Sequence, residues 1–262
     1  MDLQDAVAIV TGSSSGVGAA TARQLAERGA NVVINYAHNA EGAKQTQALC
    51  EEFGVETAVV QADVADDAAC RKLVAAAEER WGRLDALVNN AGTTKFCSHD
   101  DLEGLSHADF LDIYSVNTVG PYQMVRAAAP LMRQGGRGSV VNVASIAGVM
   151  GVGSCIAYAA SKGALITLGL SLARVLGPEI RVNTICPGFI QGDWLEQGMG
   201  SEVYARTKEH LENTTPLRLT TTPDTIAEGI LYFLGGADVV TGETLMLDGG
   251  FHLNQLATGR RR

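Results

Sequence analysis

A phenol and an amine stand four residues apart in "YAASK", residues 158–162. At helical spacing Tyr158 and Lys162 share one face, so the ammonium can approach the ring hydroxyl. A free tyrosine titrates near ~10, too high to give up a proton readily at neutral pH, and a fixed cation beside it stabilises the phenolate. Lowering that value by about three units takes roughly 4 kcal/mol, within reach of one close cation in a partly dehydrated cleft. The chemistry expected of such a pair is proton transfer to or from a substrate oxygen. The same spacing also fits a half-buried ring beside a solvated amine. The pair therefore needs a reacting partner and elements that hold a site.

Seven short β-branched runs could supply those elements: "VAIVT" at 7, "NVVINY" at 31, "ETAVVQ" at 56, "DALVNN" at 85, "SVVNVA" at 139, "IRVNTI" at 180 and "ETLMLD" at 243. Each is apolar enough for a strand buried on both faces. Helical periodicity fills the intervals at about 16–29, 40–53, 67–82, 107–134, 156–177 and 224–235. This alternation predicts an α/β fold, one Rossmann-type doubly wound domain over 1–262 with a mostly parallel seven-stranded sheet and helices on both faces. Ligands in such sheets bind beyond the carboxyl ends of the strands. Directly after the first run comes "TGSSSGVG". There Gly12 permits a sharp turn, Gly16 lets a pyrophosphate approach the backbone, and Gly18 allows close helix packing. The Lys-Ser/Thr ending of a nucleoside-triphosphate loop is missing, which argues against ATP or GTP hydrolysis.

Composition narrows the partners. A net charge of −9 disfavours nucleic acid and anionic membranes, and the basic tail "GRRR" is expected to be a solvated terminus. Cys50, Cys70, Cys97, Cys155 and Cys186 are scattered, with no C-x-x-C and no histidine at ligand spacing, so reduced thiols and no metal site are expected. The start "MDLQDAVAIV" lacks the regions of a signal peptide, and the charge-free stretch "GALITLGLSLA" is too short for a bilayer. A cytoplasmic protein without membrane association is the expectation.

With "TGSSSGVG" come "DV" at 63–64, "NNAG" at 89–92, Asn117 in "SVNTVG", Ser145 in "NVASIAG", "YAASK" and "PG" at 187–188. In order and spacing these motifs resemble the short-chain dehydrogenase/reductase family over essentially the whole chain, in particular its 3-oxoacyl-carrier-protein reductase-like and glucose dehydrogenase-like members. The resemblance implies a catalytic tetrad of Asn117, Ser145, Tyr158 and Lys162. Ser145 would orient a substrate oxygen, Tyr158 would act as general acid or base, Lys162 would also bind the nicotinamide ribose, and Asn117 would hold a relay water. It implies a dinucleotide along Gly12, Ser14, Ser15, Gly16, Val17, Gly18, Tyr36, Asn90, Ala91, Gly92, Pro187, Gly188 and Ile190, with Asp63 and Val64 at the adenine. Oxidoreduction between nicotinamide and a carbonyl or secondary alcohol follows, with a small-molecule substrate and a homo-oligomer, by family expectation a tetramer.

NAD-binding members usually carry an acidic residue at the end of the second strand, where Tyr36 stands here. NADP(H) is therefore expected over NAD(H), with dual use open, and Ser14, Ser15, His38 and Asn39 are available to a 2′-phosphate. Where relatives place a threonine after the "PG" turn, this chain has Gly192. A substrate lid is expected at about 189–215, with Phe189, Ile190, Trp194, Leu195 and Met199 as candidate pocket walls; Phe96, Cys97, Val149, Met150 and Cys155 are further candidates. Glu179 stands where a reductase serving an acidic carrier protein would present arginine. Reduction of 3-oxoacyl-carrier-protein and sugar or polyol oxidation remain alternatives, as does a dinucleotide sensor or scaffold without catalysis. "LDGGFHL" fits a closing strand of the oligomer.

Overall fold

The structure, a computed structural model, describes residues 1–256; the "GRRR" tail lies outside the described residues. All seven expected strands form, as β1 (Val7–Val10), β2 (Asn31–Tyr36), β3 (Thr57–Gln61), β4 (Ala86–Asn89), β5 (Gly138–Val143), β6 (Ile180–Pro187) and β7 (Thr244–Leu247). They pair in the order β3-β2-β1-β4-β5-β6-β7, every pair parallel. The order reverses between β1 and β4, which opens a crevice at their carboxyl ends.

Strand residues alternate between two cores. Val32 and Ile34 pack with helices α1 (Gly16–Glu27), α2 (Ala40–Glu51) and α10 (Pro223–Gly235), while Val33 packs with the opposite layer. That layer is α3 (Asp67–Trp81), α5 (Gly120–Gln134) and α7 (Ile156–Leu176). Burial on both faces is why the runs are continuously apolar.

The expected helix at 107–134 is interrupted. It divides into α4 (His107–Tyr114), a π-helical turn (Ser115–Val119) and α5. The wide turn carries Asn117, whose amide donates to the Thr93 carbonyl at 2.9 Å and the Ser161 hydroxyl at 3.0 Å, while its Oδ1 accepts from the Thr93 amide at 2.8 Å. Three further helices fall where none was expected: α6 (Ala147–Met150), α8 (Asp193–Met199) and α9 (Ser201–Thr214). "LDGGFHL" does not form a closing strand. β7 stops at Leu247, and after a two-glycine turn Phe251–Leu256 is a 3-10 helix. The α7 helix is also longer than its charge-free core suggests. Over 21 residues, with a window of mean hydropathy 1.4, its length and composition would suit a bilayer; here it packs Leu165, Leu172, Ala173 and Leu176 into the core and carries Tyr158 and Lys162.

Candidate active site

A cleft of about 1550 Å³ runs along the carboxyl ends of β1, β4, β5 and β6. Ligand sites commonly measure ~300–1,000 Å³, so there is room for two ligands end to end. Of the residues expected at the site, Gly12, Ser14, Ser15, Gly16, Val17, Asp63, Val64, Asn90, Ala91, Gly92, Ser145, Tyr158, Lys162, Pro187, Gly188 and Ile190 line it.

At one end the glycine turn is held by the expected Asn90 together with Thr11 and Asn35, two side chains not singled out from the sequence. Thr11 accepts from the amides of Asn90 and Ala91 at 2.9 and 3.0 Å. Asn90 donates to the carbonyls of Thr11 and Gly12 at 2.9 and 3.1 Å, and Asn35 Oδ1 accepts from the Gly12 amide at 2.9 Å. Asn35 carries a signal in the sequence, an amide inside the β-branched run "NVVINY" that is 2% exposed. Gly18 lies behind the wall. A Cβ there would stand 2.8 Å from Ser13 Cα, so the absent side chain permits the packing foreseen for it.

Tyr36 needs correction. It shares a face with Val32 and Ile34, and its ring packs on the core under α1 and α2 instead of lining the cleft. The wall at that point is made by Ala37, His38 and Asn39, with Asn39 Oδ1 capping α2 through the Gly42 amide at 2.9 Å.

At the middle of the cleft Lys162, Asn117 and Gly92 converge. A Cβ on Gly92 would lie 3.4 Å from Lys162 Nζ and 3.5 Å from Asn117 Oδ1. Asn117 itself is fully buried beneath this point, and Ser161, which it bonds, donates to the Tyr158 carbonyl at 2.8 Å. Lys162 donates to the Val143 carbonyl at 2.9 Å, and Nζ lies 5.7 Å from the centre of the Tyr158 ring. Cys155, which could line the pocket or equally be a small buried residue, is the latter, the buried N-cap of α7, its sulfur accepting from the Tyr158 amide at 3.3 Å. Val149 and Met150 also lie off the cleft wall; Met150 packs beside Ala144 and Leu165.

The electrostatics differ from the sequence expectation. Burial pushes the Tyr158 phenol up to about 12, partly opposed by its hydrogen bond with Ser145 and reinforced by the nearby Cys186 and Cys155 thiols. Burial likewise pushes Lys162 down to about 8, opposed by Cys186. The amine spends its direct bond on a carbonyl, and burial is the largest cause of both shifts.

The far end is made by Phe96, Phe189, Trp194, Leu195 and Met199. Gly192 adopts φ +144°, opening α8, and its amide donates to the Tyr204 hydroxyl of α9 at 3.1 Å. That bond secures the turn that opens α8.

A family model described as enoyl-(acyl carrier protein) reductase matches residues 12–252. The chain belongs to the short-chain dehydrogenase/reductase family. It is 42% identical over 247 residues, 94% of this chain and 96% of the other, to a Streptomyces violaceoruber protein designated a ketoacyl reductase of the granaticin polyketide synthase. An L-rhamnose 1-dehydrogenase (NAD(P)(+)) of Azotobacter vinelandii is 37% identical over 260 residues, covering 97% of this chain and 99% of the other. The solved structure of NAD+-bound xylitol dehydrogenase superposes with a TM-score of 0.85 at 29% identity, over 95% of this chain and all of the other (100%). Members of this oxidoreductase family use a nicotinamide dinucleotide, and the cleft fits one. The N-cap of α1, Ser15, makes no side-chain cap bond and the first turn holds no acidic residue, so its amides are free for a pyrophosphate. At Gly92 the missing side chain leaves space against Lys162.

Proposed function

We propose that this short-chain dehydrogenase/reductase interconverts a carbonyl and a secondary alcohol, with Tyr158 as general acid or base. The observation that carries the reading is the convergence of Lys162 and buried Asn117 at Gly92, with the Tyr158 ring centre 5.7 Å from Lys162 Nζ, in one cleft with the glycine turn. The dinucleotide, when bound, supplies or accepts the hydride at the substrate carbon. Ser145 holds the substrate oxygen and Tyr158 passes a proton to or from it. Lys162 binds the ribose beside Gly92 and electrostatically favours proton loss from Tyr158, while Asn117 orients the relay behind it. The glycine turn and α1 hold the pyrophosphate, Asp63 and Val64 the adenine, and Pro187, Gly188 and Ile190 the nicotinamide side.

NADP(H) is favoured over NAD(H), with both usable. The wall formed by Ser14, Ser15, Ala37, His38 and Asn39 carries no carboxylate to repel a 2′-phosphate. Residues 189–215 act as the lid of a single domain. The polyketide relative and the apolar far end favour a ketone on an extended carbon skeleton. Delivery on an acidic carrier protein is disfavoured: Asp193 lines the mouth, and the exposed Asp100, Asp101 and Glu103 follow the lining stretch Phe96–His99. Half-exposed apolar residues on and beside α5 and α7, among them Val119, Tyr122, Leu170 and Val175, suit a homotetramer of a cytoplasmic enzyme.

The test is titration with NADPH and NADH, followed by a spectrophotometric screen of ketones and of sugars. NADPH-dependent ketone reduction that Tyr158→Phe abolishes would support the reading. Sugar oxidation in place of ketone reduction would move the assignment to the polyol class, and binding without turnover of any substrate would favour a dinucleotide sensor.

A further inference from the structure

Three aromatic rings stand in a row at the substrate end of the cleft. The Trp194 ring centre lies 6.2 Å from that of Tyr158, with planes at 49°, and 6.1 Å from that of Phe96, with planes at 61°. The indole therefore sits between the proton donor and the Phe96 ring. These side chains come from both sides of the mouth, Phe96 from the connection after β4 and Trp194 from α8. Their arrangement depends on Gly198, since a Cβ there would overlap the Phe96 ring. Yet the row is incompletely covered: Trp194 is 50% exposed and Phe96 37%, although both line the cleft. A ring entering beside the indole would cover that area, in the tilted or offset geometry that aromatic pairs prefer.

Two neighbouring polar pairs are engaged with each other. The hydroxyls of Thr94 and Ser154 lie 2.6 Å apart in one hydrogen bond, and the Gln191 amide donates to Thr220 Oγ1 at 3.0 Å. Reaching these groups would cost a sugar both bonds, whereas a flat hydrocarbon ring on the indole leaves them in place.

We propose that Trp194 and Phe96 are specificity-determining residues that select ketones bearing an aromatic ring fused next to the reacting carbon's ring, the arene packing on the indole while the ketone oxygen meets Tyr158. This rests on the carbonyl-reductase reading and names its substrate class. The test compares 2-tetralone with 2-decalone, which share a bicyclic skeleton and an unconjugated ketone and differ in one aromatic ring. Wild type should prefer 2-tetralone in kcat/KM by about 2- to 13-fold, the range of an aromatic pair. Trp194→Leu, which keeps apolar bulk, should bring the ratio near one with NADPH affinity unchanged, and Phe96→Leu should lower it in part. An equal ratio in wild type, or one unchanged by Trp194→Leu, would overturn the inference while Tyr158-dependent reduction of both ketones left the reductase reading standing.

Binding gives a readout that does not require turnover. The chain has two tryptophans, Trp81 and Trp194, so Trp81→Phe leaves the emission of Trp194 alone. With NADP+ present, saturable quenching by 2-tetralone supports the aromatic subsite, and no quenching up to millimolar ligand overturns it. Quenching without reduction of either ketone would retain the subsite and count against the reductase reading.

Discussion

At the dinucleotide end of the cleft, the side chains of Thr11, Asn35 and Asn90 are bonded to backbone and the wall is largely main chain shaped by missing side chains. At the substrate end the wall is side chain: rings from the Phe96 connection and from α8, half in water, with no residue of α8 buried. Under the proposed function the first surface would take what every dinucleotide shares, a pyrophosphate and two riboses, and at Gly12 and Gly18 an added Cβ meets backbone. The second can be altered one ring at a time without disturbing the sheet. The proposed chemistry lies where the two meet, at Tyr158 and Lys162 on α7.

The largest expected effect falls at that junction. Tyr158→Phe removes the proton donor and should lower kcat at least ~10²-fold while NADPH binding stays within a factor of two, by stopped-flow turnover and fluorescence titration. Near-normal turnover would break the assignment of the junction as the reacting centre.

Next in size is the dinucleotide end. In Gly18→Ala the new Cβ would stand 2.8 Å from Ser13 Cα and 2.6 Å from the Asn90 amide nitrogen that holds the turn. The Ser13 contact is with main chain and cannot swing aside, so NADPH affinity should fall at least ~10-fold, one decade being about 1.4 kcal/mol. Unchanged affinity would mean the turn is softer than its hydrogen bonds imply.

The junction also carries a pH signature. Burial lowers Lys162 from its ordinary 10.5 to about 8, so the unfolded chain binds more protons here between those two values. Stability should therefore rise with pH across that window, by as much as about 3 kcal/mol for this group alone. Lys162→Met lacks the titration but leaves the Val143 carbonyl without its amine. The difference between wild type and variant in urea denaturation should thus grow from pH 7 to pH 10. Tyr158, raised to about 12, loses its contribution only above its unfolded value near 10, outside that range. A pH-independent difference would show that Lys162 is not desolvated.

The same contrast explains what the sequence revealed. The central strands are legible because burial on both faces forces unbroken apolar runs, while the edge strands β3 and β7 are only partly buried; the glycine turn is legible because main chain alone can form it. Position along the strand does not tell the parity of Tyr36, which shares with Val32 and Ile34 the face turned to the core of α1, α2 and α10. The π-helical turn at Asn117 left no periodic mark, because it is imposed by bonds to Thr93 and Ser161 distant in the chain. Helices α8 and α9 were missed for want of a buried stripe, Leu211 being the one buried residue of α9. The rise of the Tyr158 pKa was invisible too, since spacing brings two charges together but says nothing of how much water they lose.

The smallest effect sharpens the comparison most, because it repeats a glycine-to-alanine change at the other end. In Gly198→Ala the atoms nearest the added Cβ are those of the Phe96 ring, the end of a rotatable side chain on an exposed connection. Phe96 can turn away, and alanine favours the helix by up to about 1 kcal/mol, so thermal stability should hold or rise slightly. NADPH affinity should not change. What should move is KM for an aromatic ketone, upward by a few-fold, as the ring that flanks Trp194 leaves its seat. A loss of cofactor binding here as large as in Gly18→Ala would mean that the two ends of the cleft are coupled through the lid, and that α8 contributes to holding the dinucleotide as well as to selecting the substrate.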